Sequence, residues 1–147
     1  MTEPASPREV FLALVTGVAE GRGEELAELY AERTDVAHPF HPLRPPALRT
    51  RDELREHFRP TEASRRLRRQ PTGITIHETT DPEVIVAEFE YRGTDTVTGE
   101  PFRQPAIFVL RVRDGEIVES RDYFDHMSTA HLRGELGALI AAVEARG

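Results

Sequence analysis

From residue 72 onward the chain is a succession of strand-length runs separated by turn signals, and this constrains the fold more than any other feature. Residues 72–79, 83–92, 102–113 and 115–125 read as strands, with turns at Asp81-Pro82, Thr98-Gly99 and Asp114-Gly115 between them. Connections this short join neighbours antiparallel, so the four strands form a meander. Helical patterns precede it. Ser6-Pro7-Arg8-Glu9 is a capping box with Pro at the first helical position. Val10, Phe11, Leu14, Val15 and Val18 then recur at helical spacing until Gly21. The pattern predicts a second helix over 24–32, a short strand over 34–38, and a third helix opened by the box Thr50-Arg-Asp-Glu53 and running through Leu54, His57 and Phe58. Four prolines between Pro39 and Pro46 make an irregular loop. From Ser128 one more helix carries Leu132, Leu136, Leu139, Ile140 and Val143. Helices, then a meander, then a helix describe an α+β domain. Long strands twist, so the sheet should curve around the N-terminal helices and leave a concave interior opening near His38 and Phe58.

The last strand carries the chemistry. Side chains on a strand alternate between faces. Val118, Ser120, Asp122 and Phe124 form the inward set, and Ile117, Glu119, Arg121, Tyr123 and Asp125 the outward one. An inward Asp is costly unless it is paired or its pKa rises, and a raised pKa suits a general acid or base at neutral pH. A structural carboxylate bonded to backbone or Arg is the alternative reading.

Composition bounds the remaining classes. The 147 residues suffice for one domain with its own core. We read a core over 6–127 and a C-terminal helix over 128–145. No apolar run approaches the roughly 18 residues of a membrane span, and the N-terminus lacks the features of a secretory signal, so the cytoplasm is the expected compartment. Cys is absent, which removes disulfides, thiolate nucleophiles and thiolate-bound metals. All 19 basic residues are Arg, so a Schiff-base lysine is excluded. The net charge of −7 argues against nucleic acid as a partner. The basic run Arg65-Arg66-Leu67-Arg68-Arg69 is read as a solvated surface. His38, His41 and His57 form a candidate metal set, since His38-Pro-Phe-His41 has ligand-like spacing, but the prolines inside and beside it and the lack of a spaced acidic partner lead us to expect no metal. No glycine-rich phosphate loop is present, and no cofactor is expected.

Three segments carry a family resemblance: Leu29-Tyr-Ala-Glu-Arg-Thr-Asp-Val-Ala-His-Pro39, Thr50-Arg-Asp-Glu-Leu-Arg-Glu-His57 and Asp114-Gly-Glu-Ile-Val-Glu-Ser-Arg-Asp122. In this order they resemble the cone-shaped fold shared by nuclear transport factor 2, ketosteroid isomerase, scytalone dehydratase and the SnoaL-like polyketide cyclases, a cystatin-like α+β barrel. Within that superfamily, 50–57 and 77–93 look most like the phenazine-biosynthesis A/B proteins, small dimeric proteins that act by acid–base chemistry. The resemblance places their catalytic Glu at Asp122, their catalytic His at His57 and a hydroxyl residue at Thr61. Asp in place of Glu shortens the reach by a methylene. Arg121-Asp-Tyr-Phe-Asp125 is similar to the string bearing the base of limonene-epoxide hydrolases, but the Arg and second Asp of that triad fall at Phe89 and Tyr91. Ketosteroid isomerase would place its base at His38 and its oxyanion-hole Tyr and Asp at Leu14 and Ile107, so that hole is absent.

These readings give an expected acid–base enzyme of small-molecule metabolism: a cyclase, isomerase or condensing enzyme of natural-product biosynthesis. Asp122, His57 and His38 are the catalytic candidates. Tyr30, Phe58, Thr61, Phe89, Tyr91, Phe108, Ser120 and Phe124 are the candidates for holding a small hydrophobic substrate. Asp122 and a protonated His57 are expected to titrate together. The alternatives are a non-catalytic binding module of the same fold, and an epoxide hydrolase or epoxide-opening cyclase. Ile76, Ile117 and Tyr123 on the outer sheet face point to a two-fold homodimer.

Overall fold

A computed structural model describes residues 3–146. Helix α1 (Pro7–Ala19) begins at the predicted capping box, with Ser6 and Glu9 bonding reciprocally, and it buries Val10, Phe11, Leu14 and Val15. A 3₁₀ helix (Gly23–Leu29) follows, then β1 (Tyr30–Ala37), β2 (Leu48–Thr50), α2 (Arg51–His57) and α3 (Glu62–Arg65). The meander is β3 (Leu67–Glu78), β4 (Val84–Asp95), β5 (Pro101–Arg113) and β6 (Glu116–Phe124), and α4 (His126–Leu132) and α5 (Leu136–Arg146) end the chain. The strands form one sheet in the order β2-β1-β6-β5-β4-β3.

The four-strand meander is antiparallel throughout, as its short turns require. At Asp114-Gly115 both residues take positive φ (52° and 79°), the backbone that matches a two-residue turn to strand twist. Other expectations are corrected. The helix predicted over 24–32 stops at Leu29, and Tyr30 already belongs to a strand. That strand pairs parallel with β6, so the sheet is not antiparallel at this edge. Arg121 secures the pair by donating to the Asp35 carbonyl (3.1 Å), and Arg51 bridges the Tyr30 carbonyl (2.9 Å) and Glu116 (2.8 Å). Tertiary pairing has overridden local helix preference. The single helix predicted from Ser128 is two helices, broken at Gly134 (φ 74°). No helix among the described residues is long and apolar enough to cross a membrane.

A register shift between β5 and β6 changes the predicted facing of one residue. Arg111 pairs with Glu119 and Val112 with Ile117, which leaves Val118 as a bulge. Ile117 is therefore fully buried instead of outward, while Ser120 and Asp122 keep the predicted inward facing. Helix α1 packs on the concave face. Phe11 meets Phe89 at 5.3 Å and Phe108 at 6.1 Å, edge to face. Phe108 meets Phe124 at 5.4 Å in the same way, so the aromatic core leads directly to the far end of β6.

Candidate active site

The concave face and the helices around it enclose a cavity of about 1010 Å³. Asp122 lies in its wall because β6 alternates and β5 places Phe108 opposite it. The parallel pairing sets Ala37 beside Arg121, which delivers the next residue, His38, to the same spot. His38 Nε2 stands 3.8 Å from Asp122 Oδ2. Ser120 Oγ donates a hydrogen bond to Asp122 Oδ1 from two residues back on the same face.

Burial raises the Asp122 pKa from 3.8 to about 7, with the Ser120 bond and the Arg121 charge opposing part of the rise. Burial drives His38 the other way, to about 4, helped by repulsion from His57, His126 and His41. The pair therefore rests as carboxyl or carboxylate beside a neutral imidazole. At 3.8 Å it lies within Coulomb reach, but burial disfavours both charges and no hydrogen bond links the two groups.

No hydrogen bond or ion pair joins His57 to Asp122 among the described residues. The His57 ring lies 5.4 Å from that of His38, the imidazole that neighbours Asp122. Burial, then the Arg133 charge, lowers the His57 pKa below its ordinary 6.5. The shift favours the neutral imidazole, against the protonated partner expected from sequence. His126, lowered to about 4 chiefly by burial, completes a group of imidazoles with His41, whose Nδ1 accepts from the Leu43 amide (3.0 Å). Among the described residues no three His, Asp or Glu side chains are arranged to hold a metal ion.

Tyr30, Phe58, Thr61, Tyr91, Phe108 and Phe124 line the cavity with Asp122, His38 and His57. Phe89 and Ser120 do not: Phe89 fills the core between Phe11 and Tyr91, and Ser120 sits behind Asp122. Thr61 also caps α3, accepting from the Ser64 amide (3.0 Å). The Tyr30 and Tyr91 phenols are both raised above their ordinary value, first by burial; the charge of Asp122 adds to the rise in each, and Arg69 opposes it at Tyr91. They stay protonated as hydrogen-bond donors.

Sequence reasoning missed Arg69, Gln104, His126 and Arg133 among the wall residues. Arg69 belongs to the run read as a solvated surface, yet its guanidinium lies 4.8 Å over the Tyr91 ring and donates to Gln104 Oε1 at 2.7 Å. Strand alternation could have found it: β3 begins at Leu67, and Arg69 shares that residue's face. Gln104, His126 and Arg133 gave no comparable signal.

The SnoaL-like domain model matches residues 11–120. An uncharacterised PhzA/B-like protein of Pseudomonas aeruginosa is 36% identical over 120 residues, spanning 75% of this chain and 80% of its own. Among solved structures, a Bacillus subtilis protein provisionally named an isomerase superposes with TM-score 0.75 at 24% identity, covering 86% of this chain and 91% of that one. A Xanthomonas campestris protein provisionally named a polyketide cyclase does so with TM-score 0.64 at 16% identity, covering 84% and 93%. A Catenulispora acidiphila protein described as having a ketosteroid isomerase-like fold superposes with TM-score 0.66 at 18% identity, covering 88% and 95%, so this chain shares that fold.

Proposed function

Because the chain belongs to the SnoaL-like family, and its cone presents one buried carboxyl to a cavity, we propose that it is an acid–base enzyme acting on a small hydrophobic metabolite. The observation that carries this reading is Asp122, a cavity-wall carboxyl whose pKa of about 7 lets it both take and give a proton at neutral pH. The reaction class is proton abstraction next to a carbonyl, leading to isomerisation, cyclisation or condensation in natural-product biosynthesis. Asp122 removes the proton. The phenol hydroxyls of Tyr30 and Tyr91 stand within the reach of its charge and supply donors to the developing enolate oxygen. Neutral His38 and His57 donate N–H groups and hold the carboxyl side of the cavity. Phe58, Phe108 and Phe124 orient a flat substrate and exclude water. Epoxide opening by the limonene-epoxide hydrolase triad gains no support, since Phe89 and Tyr91 stand where that triad needs Arg and Asp.

The site of action is the cytoplasm, and the working form is a homodimer joined through the outer sheet face. Ile107 there is 41% exposed and Tyr123 pairs with it on the same face, whereas two residues expected on that face are not there: Ile117 is withdrawn into the core, and Ile76, level with Ala87 and Phe108, faces inward and packs on the core.

Deuterium exchange tests the chemistry with simple carbonyl compounds in place of the natural substrate. A panel of cyclic ketones and β-keto acids is incubated with enzyme in D₂O, and α-proton loss is followed by NMR. Wild type should accelerate exchange in at least one member, and Asp122→Asn should lose about 10²–10⁴ of that rate. Equal exchange by both proteins removes Asp122 from the chemistry. If neither exchanges any member while ligands still bind, the fold serves as a binding module.

A further inference from the structure

The charge of the cavity wall runs against that of the chain. The protein carries a net −7, yet the wall's carboxylates among the described residues are Asp122 and the exposed Glu135, against Arg59, Arg65, Arg69 and Arg133. Arg59 lies against Glu24 and Glu56, and Arg65 is exposed. Arg69 and Arg133 form no ion pair with any carboxylate among the described residues.

Arg69 is nonetheless held in place by the Tyr91 ring beneath it and by Gln104, a buried amide that in turn donates to Thr129 Oγ1 at 3.3 Å. These contacts aim the guanidinium without neutralising it. Arg133 follows α4, and its Nε is buried with no acceptor. The two cations are joined through a short chain of contacts: Gln104, bonded to Arg69, also bonds Thr129, whose carbonyl accepts from the Arg133 amide at 3.0 Å. Burial is the first cause that lowers Arg69, Tyr91 opposes it, and the Arg133 charge adds to it. Two guanidiniums partly withdrawn from water, mutually repelling and without a counter-charge, are costly to keep. An anion between them would remove that cost, and a guanidinium fork matches a carboxylate with two parallel bonds.

Their position relative to Asp122 follows from the ladder. Phe108 faces Asp122 across β5 and β6, and Gln104 lies four residues further along β5, about 13 Å away at roughly 3.3 Å per residue. Tyr91 pairs with Gln104 across β4 and β5, and its phenol senses both the Arg69 and the Asp122 charges.

We propose that Arg69 and Arg133 form an anion subsite that binds a carboxylate of the substrate while its reacting carbon lies against Asp122. The substrate class is then a ring ketone or polyketide-type acid bearing a free carboxylate. This deepens the acid–base reading and rests on it for the reacting carbon; the subsite itself is read by binding alone.

Titration calorimetry at pH 7.5 with 2-naphthoate and the neutral 2-naphthamide tests it on the full-length protein. Wild type should bind the acid about 10- to 100-fold more tightly than the amide, the range expected for a charge-assisted contact. Arg69→Gln and Arg133→Gln should each lose most of that preference while binding the amide as wild type does. Asp122→Asn should keep it. Arg133 lies outside the sheet, so Arg133→Gln decides the matter should Arg69→Gln fail to fold. Equal binding of acid and amide by wild type, no binding of the acid at millimolar concentration, or an undiminished preference in Arg133→Gln overturns the subsite. None of those outcomes bears on α-proton exchange, and loss of exchange dependence on Asp122 would leave the subsite standing.

Discussion

Replacing Asp122 with Asn should stabilise this protein, and by an amount that depends on pH. The Asp122 carboxyl ionises at 3.8 in an ordinary setting and at about 7 in the fold. Between those values the folded state holds a proton that the unfolded chain has released, so stability falls as pH rises, by about 1.4 kcal/mol per pH unit. The contribution is fully present below pH 3.8 and is lost as pH climbs through 7. Asn has the same outline, can accept from Ser120 Oγ and does not titrate in this range. The histidines titrate in both proteins and cancel in the comparison. Between about pH 5 and pH 8 the stability of Asp122→Asn relative to wild type should therefore rise by about 3 kcal/mol, whatever the offset at the acid end. Urea unfolding of both proteins at half-unit pH steps, with equal m-values required, measures it directly. A difference that stays flat across this range would show that Asp122 ionises as an ordinary carboxyl, and the acid–base argument would lose its premise.

The histidine group has the opposite sign. His126 is depressed to about 4, so the unfolded chain takes up its proton first as pH drops below 6.5, and wild-type stability falls between pH 6.5 and 4. His126→Gln should flatten that acid limb in urea midpoints taken at about pH 5 and pH 7; an unchanged slope would place His126 in solvent. Phe89 joins Phe11, Tyr91 and Phe108 edge to face, so Phe89→Ala should cost about 3–5 kcal/mol in the same assay, and a loss below about 1 kcal/mol would contradict its place in the core. For the proposed dimer, Ile107→Arg should convert a sedimenting dimer to monomer at micromolar concentration, whereas a monomeric wild type would rule out the sheet-face interface.

How much of this was legible depended on how local each signal is. The meander could be read because each turn is declared by neighbouring residues such as Asp114-Gly115, and the facing of Ser120 and Asp122 follows from alternation alone. Strand β1 could not be bounded, since Tyr30 to Glu32 sits in the helix-like pattern over 24–32 and becomes a strand through pairing of β1 with β6 and β2. Ile117 was misplaced because one bulge residue, Val118, inverts the alternation beyond it, and nothing in the string Gly115-Glu-Ile-Val announces a bulge. Arg69 was hidden by its neighbours: five adjacent residues, four of them basic, read as one surface, although a strand must send alternate members to opposite faces. The resemblance named His57 as the partner of Asp122; the distance from His38 to Asp122 is set by a parallel pairing that no local pattern encodes.

That parallel pairing has a consequence for when the protein becomes competent. Arg121 reaches Asp35 across 86 residues of sequence, and His38 meets Asp122 through the same contact. Hairpin contacts in β3–β5 form between near neighbours and can precede it, whereas closing the β1–β6 seam requires a long loop to be ordered first. During synthesis, the N-terminal two thirds of the chain emerge with His38 and His57 but without the strand that carries the carboxyl. A nascent chain would hold half a site and no proton acceptor until β6 docks, so activity and completion of the fold should arrive in a single step.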